Sequence, residues 1–107
     1  NKERINMGEF NKKNLLKYLE EFTDVYINSP IKDNAGGMGF NHSYFTYFVF
    51  KEIQPQLAIE SGVWKGHSTY LIEKALPSCE LICLDINFEK LIYKSEKATY
   101  FDTDSGV

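Results

Sequence analysis

The sequence predicts an α/β fold in which a Rossmann-like parallel sheet is flanked by helices. Two short, continuously apolar runs, residues 57–60 and 81–84, are typical of parallel strands that are covered on both faces. Residues 68–76, which lie between them, follow a glycine-bearing turn and have the periodicity of a helix. A weaker helical segment, residues 88–96, precedes a third candidate strand, residues 98–101. This alternation of strand and helix specifies a parallel sheet with right-handed crossovers.

The first half of the chain is predicted to be helical. Apolar residues at near-helical spacing indicate one amphipathic helix over residues 10–26. Residues 32–42 form a loop rich in Gly and Asn, and the GGMG stretch at residues 36–39 is either a flexible connector or a lid. The aromatic segment at residues 43–53 predicts a buried helix with Ser43 as its N-cap.

Composition narrows the classes of protein to which the chain can belong. The 107 residues are 43% hydrophobic and 15% aromatic, which is ample for a packed core. The net charge is −3 and the lysines are interleaved with glutamates, so no basic patch for nucleic acid is expected. No run approaches the ~20 apolar residues that cross a bilayer. Cys79 and Cys83 lack the spacing of a metal-binding pair and indicate reduced core thiols in a cytoplasmic protein.

The chain divides into a helical lead-in, residues 1–53, and the start of a Rossmann-like domain, residues 54–107. It opens on Asn1 rather than on methionine, and residues 104–107 directly follow a candidate strand, so we interpret it as part of a longer protein. The outer edge of the first strand would then lack a partner, which favours pairing with another chain. If these residues act alone, we expect a homodimer through this edge.

Residues with ligand-binding chemistry gather at the predicted strand ends. In an open parallel sheet, ligands bind beyond the carboxyl ends of the strands, where the strand order reverses. The candidate binding residues in this position are Glu60, Ser61, Gly62, Gly66, Ser68, Asp85 and Asp102.

Each type of residue suits one part of a nucleoside-like ligand. Gly62 and Gly66 bracket a loop that must turn sharply and stay thin against a ligand. Ser68 begins a helix, where its hydroxyl can cap the helix or meet a ligand carboxylate. Asp85, about 20 residues beyond the turn, is placed to accept hydrogen bonds from ribose hydroxyls. The spacing lacks the third glycine of G-x-G-x-x-G, so a ligand with ribose but without pyrophosphate fits better.

At these residues the chain resembles a known family. IESGVWKGHST, followed by ALP and LDIN, resembles the first two motifs of class I S-adenosylmethionine-dependent methyltransferases. The closest form is the E-x-G-x-x-x-G-x-S pattern of catechol and caffeoyl-CoA O-methyltransferase relatives and of cephalosporin-hydroxylase-like and macrocin-O-methyltransferase-like proteins. The resemblance covers roughly residues 54–104. It implies the first half of a class I methyltransferase fold that binds S-adenosylmethionine and methylates oxygen or nitrogen of a small-molecule acceptor.

The resemblance also implies a role for each site residue. It assigns Glu60 and the loop from Gly62 to Gly66 to the methionine part of the cofactor, and Asp85 to the ribose hydroxyls. It assigns the region of Asp102 and Asp104 to the adenine, although a plain acidic loop is an equal alternative. Ser61 departs from the pattern, which more often has an apolar residue there. The later strands of the family are missing, so no catalytic residue and no metal-binding acid is carried over.

Two other functions stay open. One is a different nucleotide-using α/β enzyme, such as an NAD-dependent dehydrogenase, and the other is a non-catalytic ligand-binding or assembly module. His42 and His67 are not at metal-ligand spacing, so no metal is expected. Trp64 and Lys65 lie within the glycine loop and are expected at the surface beside the ligand, where Trp64 can form a wall of the pocket.

Overall fold

The computed structural model describes residues 12–33 and 37–103. Phe10, Asp104 and part of the predicted 36–39 connector therefore lie outside the described residues. In chain order the elements are α1 (Lys12–Leu15), α2 (Leu19–Ile27), α3 (Phe40–Ile53), β1 (Leu57–Ser61), α4 (His67–Ala75), β2 (Glu80–Asp85) and β3 (Ala98–Asp102).

Within these residues the strands form one parallel sheet in the order β1-β2-β3. Glu60 of β1 lies opposite Cys83 of β2, and Cys83 lies opposite Tyr100 of β3. Asp85 and Asp102, which end β2 and β3, also face each other in register. The predicted α/β architecture, a parallel sheet with flanking helices, is confirmed at this level and is compatible with a Rossmann-like fold.

The two faces of the sheet differ sharply in burial. On one face, Leu81 and Cys83 are buried in the core. On the other, Ile59 is 61% exposed and Phe101 is 50% exposed. The prediction that β1 is covered on both faces is therefore wrong for the described residues. The strand order advances in one direction across the sheet, and right-handed crossovers that advance in one direction place their connections on one face.

The covered face belongs to a core in which α2, α3 and α4 pack together. Phe22 of α2 is fully buried, and its ring lies 5.2 Å from Tyr44 and 5.3 Å from Tyr47 between ring centroids. Rings at this separation and tilt add to the energy of area burial. Phe48 is also fully buried, whereas Phe45 is half exposed. The aromatic segment is thus core packing along one side of α3, as predicted.

The predicted continuous helix over residues 10–26 is interrupted between α1 and α2. The hydroxyl of Tyr44, from α3, donates to the carbonyl of Leu15, and the backbone N–H of Tyr18 donates to the same hydroxyl over 3.3 Å. A side chain that inserts into the helical hydrogen-bond ladder breaks it. The interruption therefore comes from a tertiary contact 26 or more residues away, which local periodicity does not contain.

Helix α3 begins three residues before the predicted cap. Its N-cap is Gly39, which has extended backbone, and its first residue is Phe40. Ser43 lies inside the helix, where its hydroxyl bonds with His67 instead of capping a helix end. The predicted role of Ser43 as an N-cap is therefore wrong, because a buried polar partner on α4 takes its hydroxyl.

The predicted helix over residues 88–96 is absent from the structure. The backbone N–H groups of Ile92 and Tyr93 donate to the carbonyl of Lys65, over 2.9 and 3.0 Å. The Asn87 side chain accepts from the N–H of Glu89 over 2.7 Å, which makes a local turn that competes with helix. This segment is thus tied to the loop between β1 and α4.

Cys79 and Cys83 are both free thiols and both are buried, as predicted. Among residues 12–33 and 37–103, no helix combines the length and the apolar character that crossing a membrane requires.

Candidate functional site

The loop between β1 and α4 has an unusual backbone. The N–H of Gly62 donates to the carbonyl of Leu84 over 2.9 Å, which continues the β1–β2 pairing into the loop. From there, every second residue has a positive φ: 82° at Gly62, 53° at Trp64 and 95° at Gly66. Alternation of left-handed and ordinary conformations turns successive backbone N–H groups toward one point and forms a concave anion-binding nest.

The anion in this nest is the carboxylate of Asp85, from the end of β2. Its Oδ2 accepts from the N–H of Val63 over 2.8 Å and from the N–H of Trp64 over 3.1 Å. These backbone hydrogen bonds, led by that of Trp64, lower the pKa of Asp85. A phosphate bound at the same amides would have to displace Asp85, so the loop is unsuited to a pyrophosphate.

The second carboxylate oxygen of Asp85 is less committed. Oδ1 accepts a long bond, 3.3 Å, from the N–H of Asn87, and a backbone hydrogen bond from Ile86 to the carboxylate also lowers the pKa of Asp85. An ionised carboxylate offers about four acceptor positions, so Oδ1 can still accept from ligand hydroxyls. The predicted contact of Asp85 with ribose stays a prediction, and holding the loop is an added role that the sequence did not indicate.

Glu60, at the end of β1, lies in the opposite kind of environment. It faces α4, where the hydroxyls of Thr69 and Ser68 donate to its carboxylate. Burial raises the pKa of Glu60, and the nearby charge of Asp85 raises it further, against the lowering effect of the two hydroxyls. Ser68 does not cap α4, whose N-cap is Gly66 without a side-chain cap.

The two glycines of the loop meet different surroundings. A Cβ on Gly66 would overlap the backbone carbonyl of Tyr93, so the close approach at Gly66 is with the chain itself. A Cβ on Gly62 would meet no atom within 4 Å. Gly62 therefore faces open space where a ligand can approach. Gly66, in contrast, must be glycine because the backbone of Tyr93 packs against it.

The remaining predicted site residues are Ser61 and Asp102. Ser61 is exposed and alternates with Glu60 along β1, so it points to the open face of the sheet, away from α4. Asp102 is exposed at the end of β3, and with residues 86–89 it lines an open cleft of about 520 Å³. The structure thus brings Glu60, Ser68 and Asp85 to one edge and places Asp102 beside them, with Ser61 on the other face.

His67 lies in a buried environment that its position in the sequence did not indicate. This side chain is 6% exposed, and its Nε2 lies 2.8 Å from the Ser43 hydroxyl oxygen. Its Nδ1 is buried without a hydrogen-bond partner among the described residues. Burial lowers the pKa of His67, which favours the neutral imidazole. His67 therefore joins the start of α4 to α3, and no signal in the sequence pairs it with Ser43.

A cation and an aromatic ring meet on the outside of the loop. The Lys65 ammonium lies 4.6 Å from the centre of the Trp64 ring and donates to the carbonyl of Asp33 over 2.6 Å. The contact links the loop to the segment before α3. Trp64 is 38% exposed, which agrees with the predicted surface position.

The edge can hold a ligand that carries hydroxyl and ammonium groups, because it presents carboxylates in two environments beside the start of α4. Within residues 12–33 and 37–103, no three His, Cys, Asp or Glu side chains are grouped so that they could hold a metal ion. Comparison of the chain with models of protein families, with curated proteins and with solved structures found no match.

Proposed function

We propose that this chain binds S-adenosylmethionine and forms part of a methyltransferase that acts on oxygen or nitrogen of a small molecule. The observation that carries the proposal is that the two carboxylate oxygens of Asp85 have different hydrogen-bond partners. One oxygen is fixed by the amides of Val63 and Trp64, and the other is left at the carboxyl edge of the sheet. A carboxylate fixed in this way is a preorganised acceptor for a ribose diol.

The adenosine half of the cofactor fits the ends of β2 and β3. Ile86, the residue after Asp85, is 65% exposed and lines the cleft that Asp102 borders. An exposed apolar side chain next to the ribose acceptor is suited to pack against a purine ring. Asp102 lies at the same level as Asp85 in the sheet, and its carboxylate can accept from the exocyclic amine.

The methionine half fits the end of β1 and the start of α4. Glu60 can pair with the ammonium group, and a cation there would lower the pKa that burial raises. The uncapped start of α4 offers backbone N–H groups for the carboxylate of the methionine.

The absence of phosphate in this cofactor separates the proposal from a dinucleotide enzyme. The loop N–H groups of Val63 and Trp64 already bind the Asp85 carboxylate, so they are not open to a phosphate. A bound phosphate would also bring negative charge close to Asp85 and Glu60, which opposes binding. S-adenosylmethionine carries one carboxylate in place of a pyrophosphate, and this proposal assigns that carboxylate to the start of α4 rather than to these amides.

When bound, the cofactor supplies a methyl group on a sulfonium centre that is already an excellent leaving group. The residues of this chain bind and orient it, so that an acceptor can be held in line with the methyl group. The free, buried thiols of Cys79 and Cys83 support a reducing, cytoplasmic compartment for this activity.

The test uses the only tryptophan of the chain, Trp64, which lies in the loop itself. Titration of the folded chain with S-adenosylhomocysteine should change the emission of Trp64 saturably, with a dissociation constant in the micromolar range. A parallel titration with NAD should give no saturable change. Tighter binding of NAD, or binding of neither ligand by a chain that circular dichroism shows to be folded, contradicts the proposal.

A further inference from the structure

We propose that the buried contact between His67 and Ser43 is an acid-sensitive switch, which holds the β1–α4 loop in its binding form at neutral pH and releases it when His67 is protonated. The inference rests on the proposed function, because it concerns the regulation of the same site. His67 is the first residue of α4 and directly follows Gly66, the last residue of the loop. A change in the bonding of His67 therefore reaches the loop through the peptide bond that joins them.

The contact between His67 and Ser43 is built for a neutral imidazole. Ser43, on α3, is fully buried, and His67 is 6% exposed. The hydroxyl oxygen of Ser43 lies 2.8 Å from Nε2 of His67, so this ring nitrogen has a partner. Nδ1 is buried and has no hydrogen-bond partner in the described part of the chain. An unpaired polar atom of this kind is already costly when the ring is neutral.

Protonation makes both ring nitrogens of His67 donors. The Ser43 hydroxyl can accept from Nε2, but the N–H at Nδ1 meets no acceptor among residues 12–33 and 37–103. The positive charge would also lie at the positive end of the α4 dipole. Burial lowers the pKa of His67, so its stabilising contribution is complete above pH 6.5 and is lost as the pH falls through the lowered pKa. Acid therefore favours separation of the start of α4 from α3, which exposes the cation to water.

No charged side chain of the described residues offsets this effect. From α2, the ring of Tyr26 meets the His67 ring edge to face, with 6.0 Å between the centroids. From α3, the facing group is the uncharged hydroxyl of Ser43. The nearest charges along the chain are engaged elsewhere, since Lys65 donates to a backbone carbonyl and Glu60 accepts from hydroxyls of α4. Burial lowers the pKa of His67 without a carboxylate that would raise it.

The loop depends on such an anchor because its backbone is disfavoured. Trp64 has a φ of 53°, in the left-handed region, where a bulky residue is an outlier. A conformation of this kind persists only while its surroundings enforce it. The N–H of Gly66 donates to the carbonyl of Val63, and the carbonyl of Gly66 accepts from the N–H of Tyr70 in α4, both over 3.0 Å. The loop and the start of α4 thus form one hydrogen-bonded unit, and release of His67 loosens the loop N–H groups at the candidate site.

The first experiment follows both ends of this connection by NMR without ligand, from about pH 8 to about pH 5.5. We expect the ring of His67 and the amides of Val63 and Trp64 to titrate together, with one pKa below the ordinary 6.5. His67→Gln keeps a polar side chain that cannot become charged, so it should remove the transition at the amides. The matched control is His42→Gln, which replaces the only other histidine, an exposed one, and should retain the transition.

The second experiment measures binding by calorimetry. One pH unit below the pKa that NMR gives, only about one chain in eleven carries neutral His67, so S-adenosylhomocysteine should bind about tenfold more weakly than at neutral pH. His42→Gln should show the same tenfold change, and His67→Gln should lose it. A tenfold change that persists in His67→Gln would belong to another group, such as Glu60, and overturns the proposal.

Separate titration of His67 and the loop amides also overturns the proposal, as does a His67 that gains its proton only when circular dichroism shows the whole chain unfolding. If His67→Gln does not fold, the spectra of the unchanged chain and of His42→Gln decide the question. If the unchanged chain binds no S-adenosylhomocysteine at any pH, the proposed cofactor fails. The joint titration of His67 and the loop amides then supports or overturns the switch by itself.

Discussion

Two acids that end neighbouring strands, Glu60 and Asp85, are fixed by different parts of the molecule. Glu60 is held by side-chain hydroxyls of α4, and burial raises its pKa. Asp85 is held by backbone N–H groups of the loop, and these lower its pKa. In the sequence both are simply an acid at the end of an apolar run.

The difference suggests a division of roles. Asp85 is a fixed anion whose geometry depends on the backbone, so it suits a ligand hydroxyl that needs a precise acceptor. Glu60 is an acid whose ionised form is penalised until a cation arrives, so it suits an ammonium group. Environments that push the pKa values of two neighbouring acids apart commonly give them different tasks.

The largest effect is expected from distorting the loop whose N–H groups hold Asp85, because Glu60 does not depend on that loop. Gly66→Ala places a Cβ against the Tyr93 carbonyl and forces alanine to a φ of 95°. We expect the free energy of unfolding to fall by about 3 kcal/mol, from the left-handed conformation and the overlap together. Urea unfolding followed by circular dichroism measures it.

Gly62→Ala is the matched control, because it shares the positive φ but meets no neighbouring atom. It should cost only about 1–2 kcal/mol. Equal losses of stability in the two variants would show that the close contact between Gly66 and Tyr93 adds nothing to the stability of the loop.

A second prediction separates the two roles of Asp85. Asp85→Ala leaves the N–H groups of Val63 and Trp64 without their acceptor and should lower the free energy of unfolding by about 1–3 kcal/mol. Asp85→Asn keeps one acceptor oxygen for the loop, so its loss in free energy of unfolding should be less than half that of Asp85→Ala. Equal losses in thermal or urea unfolding would show that the loop depends on the charge rather than on the acceptor.

A third prediction concerns the side chains that hold Glu60. Thr69→Val keeps the shape of a fully buried residue and removes the donor to Glu60, so we expect a loss of about 1–2 kcal/mol. Thr69→Ser retains the donor and should lose less than Thr69→Val. Unchanged stability of Thr69→Val in urea unfolding would mean that the Thr69 hydroxyl does not fix Glu60.

The smallest expected effect is a difference in pH dependence between the two acids. The pKa of Asp85 in the folded protein is below its ordinary value of 3.8. The ionised Asp85 therefore stabilises the fold above pH 3.8, and this stabilisation is lost as the pH falls through the lowered pKa. The folded-state pKa of Glu60 is above its ordinary 4.5, so its stabilisation is complete below that pH and is lost as pH rises through the raised pKa.

Measured by urea unfolding from pH 3 to pH 7, Glu60→Gln should therefore gain stability relative to the parent chain as pH rises. Asp85→Asn should instead lose stability relative to the parent chain as the pH rises. Parallel pH profiles for the two variants would contradict the assignment of opposite environments.

The sequence was sufficient for the elements whose pattern is local. Both apolar runs are strands, each slightly longer than predicted, and Pro77 follows the end of α4. Gly62 and Gly66 both have a positive φ, which fits the sharp turn expected of this loop. These features follow from side-chain period and from the conformational range of glycine.

Long-range contacts account for what the sequence did not indicate. Tyr44 interrupts the first helix from α3, and Lys65 draws residues 92 and 93 out of a helix. His67 takes the hydroxyl of Ser43 across 24 residues of chain. The binding of Asp85 to the loop amides also spans more than 20 residues, so spacing alone could suggest a ligand contact but not the structural one.

The most direct test of the central claim is a calorimetric titration with S-adenosylhomocysteine of the unchanged chain and of Asp85→Asn, under conditions in which both are folded. If the uncommitted oxygen of Asp85 accepts from the ribose, the unchanged chain binds and Asp85→Asn binds at least tenfold more weakly, about 1.4 kcal/mol. Equal affinity of the two proteins, or no binding by the unchanged chain, would contradict the claim that this edge of the sheet holds the adenosyl cofactor.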